Sequence, residues 1–358
     1  MKEIRVISAL KEMNTHENHI KRCLELALKG LGQVAPNPLV GCVITENDVI
    51  IAEGFHKHYG EAHAEVNAID SLDPGFDFSN CILYVNLEPC SHHGKTPPCS
   101  DLIIAKKFKR VVICNSDTNP LVAGKGIEKL KKAGIEVISG ILEKEGRDLN
   151  KRFFTFHEKK RPYIILKWAQ TNDGFIGKTG ADKNDNWITC EENKKLVHEW
   201  RAQEQAIMVG TNTILNDNPE LTVRLVKGKN PVRIILDKDL KLSPGLNVFN
   251  NAAETYVFTE KDYPVSGDTT YFRIDFSENI LPQVLNKLAG SNISSILIEG
   301  GTALLLSFIN ENLWDEARVF INPDKNFGSG IKAPAFDLSK ALQEKSGTDH
   351  LYTIKNPL

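Results

Sequence analysis

Apolar residues Ile20, Cys23, Leu24, Ala27 and Leu28 recur every three or four positions, which predicts a helix over residues 19–29. Gly30 and Gly32 stop it. Shorter, denser apolar runs follow and predict a strand over 40–44 with a hairpin partner over 49–54. Helical spacing returns over 62–69, then a strand over 82–87 and the start of a helix over 101–106. A strand over 110–114, a helix over 126–133 and a strand over 135–139 complete the first half. This strand–helix alternation predicts an α/β layered domain, with functional groups at strand carboxyl ends and helix N-termini.

The pattern changes at 150–161, a charged stretch closed by Pro162. A boundary is expected there, dividing the chain into domains 13–155 and 156–358. The second half also alternates. Strands are predicted over 163–168, 206–209, 233–236, 255–259 and 296–299, and helices over 191–203 and 303–309.

The 358 residues are enough for two domains, and 41% apolar with 25% charged residues is a globular composition. A formal charge of -2 argues against a broad nucleic-acid footprint. No apolar run approaches the roughly 20 residues of a membrane span, and the N-terminus has no secretory apolar region or cleavage site. A cytoplasmic enzyme is expected. Met13, followed by the helix-start residues Asn14-Thr15-His16-Glu17-Asn18, is read as an alternative start, with residues 1–12 as an extension.

Seven cysteines in such a chain do not read as a disulfide framework. Only Cys90 and Cys99 share a motif with a metal partner: His63-Ala-Glu65, then Pro89-Cys90, then Cys99. A His/Cys/Cys set with a carboxylate two residues from the imidazole is the arrangement of zinc nucleobase deaminases. Three protein ligands suit Zn²⁺ and leave its fourth position open to water, which the ion acidifies. Glu65 would carry the protons. A structural zinc knot or a redox thiol pair is the alternative. A knot requires a fourth ligand, for which His92 and His93 are placed, whereas Glu65 favours catalysis. Eight residues separate Cys90 from Cys99, in place of the usual two. Lys95 stands in that loop, suited to an anionic substrate.

Four segments then appear in order: Asn37-Pro-Leu-Val-Gly-Cys-Val-Ile44, the run from His56 to Glu65, the run from Leu87 to Cys99 with its long loop, and Asp117-Thr-Asn-Pro-Leu-Val-Ala-Gly-Lys-Gly126. Together they closely resemble the family of bifunctional riboflavin-biosynthesis proteins, in which a pyrimidine deaminase is fused to a reductase. The resemblance runs from about Met13 onward. It implies a cytidine-deaminase-like α/β/α layered domain followed by a dihydrofolate-reductase-like α/β domain. It makes His63, Cys90 and Cys99 the ligands of one zinc ion and Glu65 the proton shuttle. It places Asn37, His56, Lys95 and Asp117 around the pyrimidine and ribose phosphate. The chemistry agrees, since an amide offers both donor and acceptor to a pyrimidine edge and a lysine suits phosphate.

The second half lacks a Gly-x-Gly-x-x-Gly fingerprint. It holds Ile298-Glu-Gly-Gly301 between a strand and a helical pattern, where backbone N–H groups can approach a phosphate. The segments Lys167–Gly174, Trp187-Ile-Thr189, Val209–Thr213 and Asn216–Arg224 accompany it in order and resemble the reductase half of the same family. The resemblance assigns Ala169, Trp187, Thr213, Asp217, Gly300 and Gly301 to NADPH. It assigns Arg201, Leu221, Arg224 and Glu299 to the substrate; guanidinium suits a phosphate by its planar, bidentate donors. Asp185 stands where the family often has Ser, and Lys238 replaces a small polar residue near the cofactor edge. The implied substrate is a phosphorylated pyrimidine, deaminated at its 2-amino group and then reduced from ribosyl to ribityl. No nucleic-acid or membrane partner is expected, and a homo-oligomer is. Two other readings compete: a nucleic-acid or free-base deaminase with an unrelated C-terminal domain, and a non-catalytic zinc-binding scaffold that tolerates loss of Glu65.

Overall fold

The computed structural model describes residues 2–92, 97–119, 123–178, 186–263 and 269–357, with side chains from Met13 onward. Contacts divide the chain into two units, Met1–Lys159 and Lys160–Leu358.

The first unit is built on a sheet of strands β1 (Gly41–Glu46), β2 (Val49–Phe55), β3 (Cys81–Leu87), β4 (Arg110–Asn115) and β5 (Glu136–Ser139), in the order β2-β1-β3-β4-β5. β1 and β2 form the expected hairpin, β1 also runs antiparallel to β3, and β3, β4 and β5 are parallel. Period-two alternation gives the sheet two apolar faces. Cys42, Ile44, Leu83, Val85, Val111 and Ile113 pack on one side with Ala64 and Ala68 of helix α2 (Ala64–Ile69). Val43, Tyr84, Val112 and Cys114 face Ile20, Cys23 and Leu26 of α1 (Lys2–Leu28) on the other. The result is a three-layer α/β/α unit, completed by α3 (Cys99–Ala105), α4 (Lys125–Lys132), α5 (Glu143–Leu149) and α6 (Lys151–Lys159).

Two local expectations change. The polar run 14–18 lies within α1, which starts at Lys2, because nothing in that run breaks a helix. The charged stretch 150–161 is mostly α6. Phe153 and Phe154 bury against Leu87, which anchors a helix whose composition is otherwise that of a surface segment.

The second unit has a sheet of nine strands: β6 (Tyr163–Thr171), β8 (Ala206–Met208), β9 (Val232–Leu236), β10 (Thr255–Thr259), β11 (Thr269–Arg273), β12 (Ser295–Ile298), β13 (Glu316–Asn322), β15 (Leu342–Ser346) and β16 (Asp349–Lys355). Their order is β11-β10-β9-β8-β12-β6-β13-β16-β15. The first seven in that order are parallel, and β16 and β15 close the sheet antiparallel. A short pair, β7 (Phe175–Gly177) with β14 (Ile331–Lys332), stands apart. Helices α9 (Ile280–Gly290) and α10 (Thr302–Asn310) cover one face through Leu281, Leu285, Leu305 and Phe308. Helix α7 (Glu191–Gln203) covers part of the other through Val197 and Trp200. Helix α8 (Thr211–Asp217) follows β8. A mostly parallel sheet must be apolar on both faces, which explains the dense runs 163–168 and 296–298. No helix among the described residues is long and apolar enough to cross a membrane.

Candidate functional site

In the first unit the chemistry gathers at the carboxyl end of β3 and the starts of two helices. His63 is the N-cap residue of α2, just outside the helix. Cys90 stands three residues beyond β3, and Cys99 opens α3; the hydrogen bond to Cys90 and burial raise the Cys99 thiol. The three ligand atoms lie within 4.8 Å of one another. His63 Nδ1 is 3.2 Å from Cys99 Sγ and 3.6 Å from Cys90 Sγ. Ligands about 2.0–2.3 Å from a tetrahedral ion stand roughly 3.5 Å apart, so the donor set and its spacing fit zinc. The Cys99 N–H donates to Cys90 Sγ at 3.3 Å. Hydrogen bonds from the Cys99 thiol and from His63 pull the Cys90 thiol well down, against burial. Among the described residues no fourth His or Cys joins the set; His92 is exposed, and His93 lies outside the described residues.

Glu65 sits in the first turn of α2 and is 3% exposed. Burial raises its carboxyl pKa, while His63 pulls it back down. A carboxyl so placed holds a proton more firmly than a solvated one, which suits a group that must carry one. Three of the four expected substrate residues, Asn37, His56 and Asp117, can be placed. His56 is buried, and its ring lies edge-on to that of His63 at 5.5 Å. Its Nε2 is 3.1 Å from Asn37 Nδ2, and its Nδ1 is 3.1 Å from the Ala62 carbonyl. Burial lowers the His56 pKa, favouring the neutral ring. Asp117 follows β4, and its carboxylate accepts the Asn119 N–H at 2.6 Å. Burial raises the Asp117 pKa to about 6. Lys95 lies outside the described residues.

In the second unit Glu299 and the Gly300–Gly301 turn follow the carboxyl end of β12, while Arg201 lies in α7 and Thr213 and Asp217 in α8. Glu299 follows β12, and its carboxylate takes both Nε and Nη2 of Arg201 at 2.7 and 2.8 Å. Arg201 Nη1 donates to the Thr222 carbonyl at 3.2 Å. Arg201 is therefore engaged, and Arg224 carries the more exposed guanidinium, donating to Glu220 and to the Thr222 hydroxyl. Leu221 between them is buried at φ 54°, a left-handed conformation. Burial alone would raise the Glu299 carboxyl, but attraction from Arg201, its hydrogen bonds, Lys167 and His198 hold it down at about 2.

The cofactor set meets partly. Gly301 caps α10, and its N–H reaches Thr213 Oγ1 at 3.4 Å. Gly300, at φ 96°, accepts the Gly210 N–H at 3.0 Å. A cradle of two glycines at a helix start fits a phosphate of a dinucleotide. A neighbouring cavity of about 350 Å³ is lined by Thr211, Leu236, Lys238, Asp239 and Phe276, among others. Ala169 lies on β6 opposite Phe320, and Asp217 ends α8. Trp187 is half exposed, with Lys194 over its ring at 4.2 Å.

The comparisons agree with both halves. The family "Cytidine and deoxycytidylate deaminase zinc-binding region" matches residues 13–115, and "RibD C-terminal domain" matches 162–354. The riboflavin biosynthesis protein RibD of Aquifex aeolicus is 43% identical over 324 residues, 88% of each chain. The chain belongs to the RibD family of riboflavin biosynthesis proteins. RibD of Escherichia coli K12 is 36% identical, over 88% of this chain and 89% of its own. The crystal structure of a diaminohydroxyphosphoribosylaminopyrimidine deaminase/5-amino-6-(5-phosphoribosylamino)uracil reductase from Thermotoga maritima superposes with a TM-score of 0.86 at 41% identity, covering 96% of this chain and 99% of its own.

Of the expected departures from the family pattern, Asp185 and most of a longer loop between Asp173 and Trp187 lie outside the described residues, and Lys238 lines the cavity. Three residues escaped sequence reasoning. Lys167 is half-buried within Coulombic reach of Glu299 and Arg201, and desolvation lowers its ammonium pKa. His198 is buried and accepts the Arg224 N–H at Nδ1 at 3.0 Å. Glu88, in the Glu-Pro-Cys run, is buried beside the Asp117 loop. Their signal in the sequence was a charged residue inside an otherwise apolar or structural pattern.

Proposed function

We propose that the chain acts twice on one phosphorylated pyrimidine. The first unit hydrolyses the 2-amino group of 2,5-diamino-6-ribosylamino-4(3H)-pyrimidinone 5′-phosphate. The second reduces the ribosyl group of the product to ribityl, giving 5-amino-6-(5-phosphoribitylamino)uracil. The observation that carries the first step is the convergence of His63, Cys90 and Cys99, with buried Glu65 two residues from His63. When bound, zinc supplies the acidity that makes water a nucleophile at neutral pH. Glu65 takes the proton of that water and returns it to the departing amine. Asn37 and His56 present donor and acceptor atoms to the pyrimidine edge. Lys95 and Asp117 hold the ribose phosphate, one by charge and one by accepting hydroxyl hydrogens.

In the second unit NADPH supplies the two electrons. The Gly300–Gly301 turn and Thr213 would hold its phosphates, with Ala169, Trp187 and Asp217 along its length. Arg201, Lys167 and Arg224 outnumber the carboxylates Glu299 and Glu220, so the pocket favours an anion. Arg224 binds the substrate phosphate. Glu299 fixes Arg201, and the backbone at Leu221 borders the substrate. Assembly as a homo-oligomer and a cytoplasmic location belong to the same reading; light scattering and cell fractionation check them.

The test is product analysis by mass spectrometry. Without NADPH the substrate should give ammonia and the deaminated ribosyl compound. Adding NADPH should convert that compound to the ribityl product. Zinc-loaded protein that turns over neither compound would reject the assignment.

A further inference from the structure

Glu88 has no part in the chemistry above, yet its carboxylate joins three segments. It follows β3, two residues before Cys90, and is 4% exposed. Oε1 accepts the N–H groups of Gly126 and Ile127 at 2.9 and 3.1 Å. Oε2 accepts those of Gly124 and Asp117 at 3.0 and 3.1 Å. Helix α4 has Gly124 at its N-cap, with no side chain of its own to satisfy the first free N–H groups. Glu88 caps it from another strand and places a carboxylate at the positive end of its dipole. Gly126 shows how closely the turn is seated: an added Cβ would lie 2.1 Å from the Pro89 carbonyl oxygen.

The fourth hydrogen bond is the informative one. A helix cap needs no contact with Asp117, yet the same oxygen that holds Gly124 also holds the Asp117 backbone. One side chain thus fixes the Asp117 loop to the chain that bears Cys90. We propose that Glu88 is a positioning residue for deamination: it sets the distance between the ribose-binding loop and the metal centre, and so the affinity for substrate. This rests on the proposed role of Asp117.

Three full-length variants test it: Glu88→Gln, Gly126→Ala and Asp117→Ala. Zinc content, thermal unfolding and steady-state ammonia release are measured on each. Glu88→Gln presents an N–H₂ group where two N–H donors point, so the loop is released. KM should rise about tenfold, with kcat within about threefold and zinc retained. Glu88→Asp should recover part of the loss. Gly126→Ala keeps the Glu88 charge but crowds the Pro89 carbonyl and the Glu88 side chain, so it pushes the α4 turn off both, and should raise KM in the same direction. It carries the test if Glu88→Gln does not fold. Lower thermal stability with an unchanged KM would overturn the proposal, leaving Glu88 as a helix cap only. Loss of zinc would overturn it too, by making Glu88 a support of the metal site. If Asp117→Ala raises KM and the other two variants do not, the inference alone fails. If Asp117→Ala leaves KM unchanged, the reading of Asp117 fails first.

Discussion

Glu299→Gln removes one charge from a buried cluster and leaves its volume unchanged. The side chains of Glu299 and Arg201 are 8% and 13% exposed and share two hydrogen bonds. The carboxyl is held at about 2, against 4.5 for a free glutamate. That displacement corresponds to roughly 3 kcal/mol. Removing one partner of a buried ion pair costs about 3–5 kcal/mol, because the other charge stays buried. The two routes agree, and Lys167 also loses the attraction of Glu299. A unit of this size loses roughly 2–4 °C per kcal/mol, so its melting temperature should fall by roughly 10 °C. Calorimetry at neutral pH reads this as a shift of the reductase transition alone. Arg201→Met should cost less when added to Glu299→Gln than when made alone. The sign with pH follows from a depressed carboxyl. Its stabilisation is full above pH 4.5 and is lost as pH falls through about 2, so wild type and variant should converge in acid. A shift under about 2 °C, or a gap that stays constant in acid, would refute the reasoning.

Other outcomes follow from the same geometry. Burial, then Arg201 and Arg224, hold His198 down at about 4 from 6.5. The folded state therefore favours the neutral ring, and stability should fall as pH drops from 6.5 towards 4; His198→Asn should flatten that slope in urea titrations against pH. Dialysis against a strong zinc chelator should abolish ammonia release and leave NADPH binding unchanged, as read by calorimetric titration. NADPH should quench the fluorescence of Trp187, and Trp187→Phe should remove most of that signal.

The layered fold was legible because buried parallel strands are dense apolar runs and the helices between them keep their spacing. Helix 191–203 matches in both bounds, and strand 255–259 does too. The antiparallel edge was not legible. Strand β15, Leu-Gln-Glu-Lys-Ser, is largely exposed and carries almost no apolar signal. α6 was missed as a helix because its two buried phenylalanines are outnumbered by charges. The metal set was legible because zinc restricts its ligands to a few residue types at marked positions. The partners of Arg201 were not, since Glu299 and Thr222 meet it only through the sheet order. Glu88 was invisible for the same reason: its four hydrogen bonds go to backbone groups, whose positions no residue type announces.

The most direct test of the account pairs wild type with Glu65→Gln on the diaminopyrimidine riboside phosphate, following ammonia release and NADPH oxidation together. The account predicts both activities in wild type. The variant should keep its zinc, lose ammonia release by about 10²–10⁴-fold, and still oxidise NADPH when given the deaminated compound. A variant that releases ammonia at the wild-type rate would contradict the assignment of Glu65. A wild-type protein that binds zinc and performs neither reaction would contradict the account as a whole.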